Sequence, residues 1–204
     1  MSEVIEPLIS GNYYHIYNRG NNGVDVFYDN ASYYHFLKLY NQYLSPVADT
    51  FAWCLLKNHF HLLVYLKKGN EIENEELEYS TVEISKIVNA SRQFSHLFNA
   101  YTQAINKKFN RTGSLFENTF ERKIVTSEKY FQKLIYYIHN NPVHHGFTEN
   151  INDYPWSSYD TILSIKPTKL KRKEVLDIYD DVDNFIYFHT VKQNLEEIND
   201  LLIE

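Results

Sequence analysis

Thr50-Phe-Ala-Trp-Cys-Leu-Leu-Lys-Asn-His-Phe-His-Leu-Leu-Val-Tyr65 decides how this chain folds. The stretch is rich in aromatic and branched residues and has no Gly or Pro, which reads as strand. Leu56-Lys57-Asn58 is the place for a turn or bulge, giving two strands in succession. Side chains two apart on a strand share a face, so His59 and His61 project together while Phe60 points the other way. Two imidazoles held on one strand can converge on a divalent metal. Histidines at this spacing are more often partnered by carboxylates or backbone, so the pair alone leaves both readings open.

Working outward, Asn12 to Gly23 reads as a strand running into a turn at Gly20-Asn21-Asn22-Gly23. Asp29 or Asn30 can cap a helix to about Leu44, with Tyr33, Phe36, Leu37, Tyr40 and Leu44 on one face. Beyond the His-Phe-His stretch, 67–79 reads as an acidic loop. Ser80 to Glu83 has capping-box spacing, and Ile84, Ile87, Val88, Phe94, Leu97, Phe98, Tyr101, Ile105 and Phe109 then recur with helical spacing. Leu115–Val125 reads as a strand. Thr126 or Ser127 can cap a further helix that stops before Pro142. Asp153 to Tyr159 reads as an aromatic corner packing back on the core.

The 204 residues suit one domain of moderate size, or one with an appendage, and 44% hydrophobic content supports a sizeable core. Cys54 is the only cysteine, which excludes an internal disulfide or a cysteine zinc site. No export signal and no apolar run of spanning length is visible, so the predicted compartment is the cytoplasm and no membrane partner is expected. The net charge of -6 is unevenly spread: residues 86–133 carry +6, 134–173 carry +2, and 174–204 carry -8. A basic middle of this kind is compatible with a surface that faces phosphates. The 18 Tyr and 13 Phe fill a core by default, but such rings also stack on unpaired bases.

Projected at about 100° per residue, the helix around Phe131–Asn141 puts Phe131, Leu134, Ile135 and Ile138 on its core face. Tyr137 and Asn141 share one flank with Lys133 and Tyr130, and Tyr136 and Asn140 fall on the solvent side.

Five pieces then belong together: Tyr14-His-Ile-Tyr-Asn-Arg-Gly-Asn-Asn22, Asn58-His-Phe-His-Leu-Leu-Val64, Arg111-Thr-Gly-Ser-Leu-Phe116, Tyr137-Ile-His-Asn-Asn-Pro-Val143 and Tyr154-Pro-Trp-Ser-Ser158. As an ordered set over about residues 12–160 they resemble the HUH single-tyrosine transposases, closest to the REP-associated branch. The resemblance implies an α+β fold, a ferredoxin-like antiparallel sheet covered by helices. The transposase domain would occupy 1–165, and 166–204 would form an acidic, helical C-terminal extension.

It further implies that His59 and His61 bind a divalent metal, Mg²⁺ or Mn²⁺, with Asn141 as third ligand. Tyr137 would be the nucleophile on single-stranded DNA, forming a 5′-phosphotyrosine link, and a hairpin-forming repeat would be the target. Lys133, or the metal, is a candidate for lowering the phenol pKa. Tyr14, Tyr17, Asn18, Arg19, Arg92, Lys107, Lys108, Arg111, Arg122 and Lys123 are candidates for DNA contact, by stacking or by charge. A monomer is favoured slightly over a homodimer. The other readings are a hairpin-binding protein that has lost turnover, and a replication or relaxation nickase. The sequence leaves the role of the acidic tail open, a cover over the basic DNA face being one reading.

Overall fold

The computed structural model describes residues 6–72, 89–117 and 119–201. Four strands, β1 (Tyr13–Arg19), β2 (Ala48–Leu56), β3 (His59–Leu66) and β4 (Glu121–Val125), form one sheet in the order β2-β3-β1-β4 with every neighbouring pair antiparallel. Between them run α1 (Asn30–Tyr43) and α2 (Ala90–Lys108), and after them α3 (Glu128–His144), α4 (Tyr159–Leu163), α5 (Arg172–Ile178) and α6 (Val182–Thr190). This is the α+β, ferredoxin-like arrangement that the resemblance implies, with the helical extension at its C-terminus.

Strand alternation divides the sheet between two cores. Tyr14, Ile16, Phe60, Leu62 and Val64 face a first core closed by α1 and α2, where Phe36, Phe94, Leu97 and Tyr101 are fully buried. Cys54, Leu56, Leu63 and Val125 face a second core with Phe131, Leu134, Ile135 and Ile138 of α3. The step Lys57-Asn58 is the turn between β2 and β3. Asp29 caps α1, its carboxylate accepting from the Ser32 N–H, and Ser127 caps α3. The aromatic corner does pack back: Trp156 stacks on Tyr33 at 4.3 Å, and the Tyr154 hydroxyl donates to the Leu55 carbonyl.

Three sequence expectations are corrected. The strand expected over 115–125 exists only from Glu121, because Leu115 and Phe116 turn into the first core and Thr119 adopts a left-handed backbone (φ 63°). Helix α3 does not stop before Pro142 but runs through it to His144. Tyr136 is not on a solvent face, since α6 covers it with Phe188 and His189. The tail, whose role the sequence leaves open, packs into the second core through Val175, Tyr179, Phe185 and Ile198. Residues 73–79 of the expected acidic loop and the helix start expected at Ser80–Glu83, with Ile84, Ile87 and Val88, lie outside the described residues.

The tail is fastened by polar bonds as well as by burial. The Lys171 N–H donates to the Thr50 carbonyl, Gln132 Nε2 to the Ile178 carbonyl, and the Tyr179 hydroxyl to the Gln132 carbonyl. A buried chain adds to these: the Trp53 N–H donates to Ser158 Oγ, Ser158 Oγ lies 2.7 Å from His139 Nε2, and His139 Nδ1 lies 3.0 Å from His189 Nε2. It links β2, α3 and α6 with every imidazole nitrogen engaged, since His189 Nδ1 meets the Phe185 carbonyl. Phe185→Ala is therefore expected to cost about 3–5 kcal/mol of stability in urea denaturation. Removing residues 174–204 is expected to cost more, and a truncated protein that melts at the full-length temperature would contradict this packing.

Candidate active site

β1 and β3 build the floor of the site. Their register sets Tyr17 opposite His61 and Arg19 opposite His59, so the odd-numbered residues of both strands rise on the α3 side. His59 is partly buried, and His61 and His15 are fully buried. From α3 come Tyr137 and Asn141, one turn apart and both buried. The flank read from the helical projection is the one that meets the histidines.

The contacts fix how the two imidazoles are presented. His59 Nδ1 lies 2.8 Å from Asn58 Oδ1, an atom that can only accept, and a neutral ring that gives its one proton to that contact offers a lone pair at Nε2. That Nε2 lies 3.1 Å from Asn141 Oδ1. With the proton on Nδ1, two lone pairs meet here as neighbouring ligands of one cation would; with it on Nε2, the same contact is an N–H···O bond. Two ligands of an octahedral ion with bonds of about 2.1 Å stand about 3.0 Å apart when adjacent, which matches. His61 has Nδ1 3.0 Å from His15 Nε2, while its own Nε2 is buried with no hydrogen-bond partner. The ring centroids of His59 and His61 are 5.1 Å apart.

The residues thus fit a divalent cation, with His59 Nε2, His61 Nε2 and Asn141 Oδ1 as the available donors. No group of three or more His, Cys, Asp or Glu side chains suited to a metal occurs among the described residues. An ion here would take the amide as its third protein ligand.

Electrostatics keep both imidazoles in the ligating form. Burial, and then the neighbouring His15 and His59, push the His61 pKa well below its ordinary value. Burial lowers His59 to about 4, partly offset by the Asn141 contact. Neutral imidazole is the form that binds metal.

Above the histidines opens a cleft of about 690 Å³. Tyr17, Asn18, Arg19 and Asn58 line it beside His59 and His61, with Glu117, Thr119, Glu121, His145 and Phe147 around them. Arg19 pairs with Glu117 at 2.7 Å in a half-exposed salt bridge, and Phe147 is 44% exposed. Tyr137 does not line the cleft. It packs edge-on against His61, with centroids 5.3 Å apart, and against His15 at 6.1 Å. Lys133 is half-buried one turn before it on α3.

The DNA-contact candidates separate. Tyr17, Asn18 and Arg19 are at the cleft. Tyr14 is not available for stacking: it is fully buried on the other face, and its hydroxyl bonds Ile9 N and the Pro7 carbonyl. Arg122 also turns away from the histidines, opposite Ile16, with its guanidinium 4.1 Å over the Phe120 ring. Lys123 is exposed on β4 opposite His15. Arg92, Lys107 and Lys108 belong to α2, on the far side of the sheet, where Lys108 pairs with Asp29 at 2.6 Å. Arg111 follows that helix and bonds Asn106. The basic middle of the sequence does not become a basic wall of this cleft.

His15, Asn58, Glu117, Glu121, His145 and Phe147 escape the sequence reading. Parity on β1 is a usable signal for His15, which alternates with the apolar Tyr14 and Ile16 and so belongs with Tyr17. His145 and Phe147 are hidden by Pro142, which suggests a helix end where the helix continues.

The fold is shared with the structure of a REP-associated tyrosine transposase bound to a REP hairpin: TM-score 0.55, 17% identity, covering 82% of this chain and 89% of that one. In sequence, the chain is 26% identical over 112 residues to a Haemophilus influenzae protein named "Putative REP-associated tyrosine transposase". That match covers 54% of this chain and 58% of the relative's length. No family model matches the chain. No helix among the described residues is long and apolar enough to cross a membrane.

The buried histidines predict a pH dependence of stability. His59 and His189 fall to about 4, and His61 and His139 are also lowered, whereas the unfolded imidazole titrates near 6.5. Between those values the unfolded chain binds more protons than the folded one, so stability falls with falling pH. Urea midpoints are expected to be level above about pH 6.5 and to decline toward pH 4. A midpoint constant across that window would contradict neutral burial of these rings.

Proposed function

We propose that the protein cuts and rejoins single-stranded DNA at hairpin-forming repeats by way of Tyr137. The observation that carries this reading is the 3.1 Å approach of His59 Nε2 to Asn141 Oδ1, with Tyr137 one turn earlier on the same helix. The shared fold and the sequence relative named above support the substrate class.

His59, His61 and Asn141 would hold Mg²⁺ or Mn²⁺. When bound, such an ion supplies a Lewis acid that draws charge from a nonbridging phosphate oxygen. A phenol in water titrates at about 10, so the Tyr137 hydroxyl must give up its proton to solvent to attack, and Lys133 is the cation placed to favour that loss. Its Oη then bonds to phosphorus as the bond to the 3′ oxygen breaks, and that oxygen takes a proton from solvent and leaves as a 3′-hydroxyl. The 5′-phosphotyrosine link conserves a phosphodiester, so a second 3′-hydroxyl can reverse the step without ATP. Arg19 can exchange Glu117 for a backbone phosphate, while Phe147, 44% exposed, offers a ring to an unpaired base. Because Tyr137 lies behind the imidazoles, its hydroxyl reaches a strand in the cleft only after the side chain or α3 moves.

That burial favours a second reading, in which the protein binds hairpins without cutting them. Labelled hairpin oligonucleotides incubated with Mn²⁺ and run on a denaturing gel separate the two. A covalent adduct is expected that disappears in Tyr137→Phe and persists in Tyr136→Phe. His59→Ala is expected to lower metal-dependent cleavage by more than about 10²-fold, since loss of even an outer partner of a metal ligand costs 10–100-fold. Hairpin binding with no adduct under any condition would leave the binding-only reading.

A further inference from the structure

Both imidazoles at the cleft floor must turn a bare Nε2 toward Asn141 to be useful to a cation, and each needs something to hold it that way. For His59 the holder is its neighbour in sequence, Asn58. For His61 it comes from another strand.

We propose that His15 is a positioning residue that sets the tautomer and ring orientation of His61, keeping the proton on Nδ1 and the lone pair on Nε2. The proposal rests on the reading of His59, His61 and Asn141 as a cation site. His15 is fully buried on β1, two residues before the partner of His61 in the strand register. Its Nε2 lies 3.0 Å from His61 Nδ1, and the ring planes differ by 23°. The centroids are 5.1 Å apart, greater than the N···N distance by about two ring radii. The rings therefore meet edge to edge and nearly coplanar, as a linear N–H···N bond requires.

One proton serves that bond, and it has two places to sit. On His15 Nε2, it would leave His61 as the Nε2–H tautomer, with a buried N–H and no acceptor. On His61 Nδ1, it leaves only a bare lone pair at Nε2. An orphaned buried N–H is the rarer and costlier of the two. The second arrangement is also the one able to ligate. A buried histidine on the central strand thus does for His61 what an adjacent asparagine does for His59. His15 also packs against Tyr137, so one ring spaces the proposed ligand from the proposed nucleophile.

The test needs no catalysis. Long-range ¹H–¹⁵N correlation of histidine-labelled, metal-free protein reads the tautomer of His61 directly, and Nδ1–H is expected. An Nε2–H signal for His61 overturns the proposal. In a Mn²⁺ titration followed by electron paramagnetic resonance, His15→Leu is expected to weaken binding about 10–100-fold. His15→Gln, whose side-chain oxygen can accept in place of Nε2, is expected to restore most of it. Circular dichroism and melting establish that each variant folds. A folded His15→Leu variant that binds Mn²⁺ like the parent overturns the proposal; if that variant does not fold, the parent's tautomer and the Gln variant decide. Failure of the parent to bind Mn²⁺, or binding unchanged in His59→Ala, would instead remove the cation site itself, and the His61 tautomer would still be read.

Discussion

The antiparallel pairing of β1 with β3 is the constraint on which the rest of this molecule depends. With Tyr17 opposite His61, the even-numbered side chains of both strands enter the first core, and the odd-numbered ones form the floor beneath α3. A slip of one residue in either strand would exchange the faces and bury the histidines among Phe36, Phe94 and Leu97. Phe60, Leu62, Val64, Tyr14 and Ile16 hold that register, because each is lodged in a close-packed apolar layer that tolerates no such exchange. The chemistry of His59 and His61 thus rests on the apolar residues between them.

The second layer is held differently. Helix α3 brings Tyr137 and Asn141 to the histidines on its inner side, and on its outer side it is covered by the tail. The bonds through Ser158, His139 and His189 connect β2, α3 and α6 in one buried line. His139 belongs to the same short motif as Tyr137 and Asn141, but it faces the opposite way and has a structural task. That division explains why a motif read as a unit in sequence contributes to two places in space: successive residues on a helix are 100° apart.

Charge shows a similar redistribution. A segment with net +6 over 86–133 suggests a continuous basic surface, yet its cations end up on both sides of the sheet. Arg122 is turned inward on Phe120, and Lys108 is paired with Asp29. Around the cleft itself, Arg19 stands with Glu117 and Glu121. The cleft therefore carries no strong positive field.

Local chemistry in the sequence determined much of this. Alternation placed His59 and His61 on one face, Asp29 or Asn30 and Thr126 or Ser127 marked helix starts, and the helical projection put Tyr137 beside Asn141. Each of these follows from periodicity or capping within a few residues, and such interactions are nearly independent of the remainder of the chain. Tertiary structure decided the rest. His15 joined the site because strand pairing brought it to His61, 46 positions away. Tyr14 and Arg122 left the DNA-contact set because their strands turned them into the other core. Tyr136 became buried because a distant tail covered it. These outcomes depend on which surfaces meet, and that is set by the packing of the whole chain, which no short window of sequence contains.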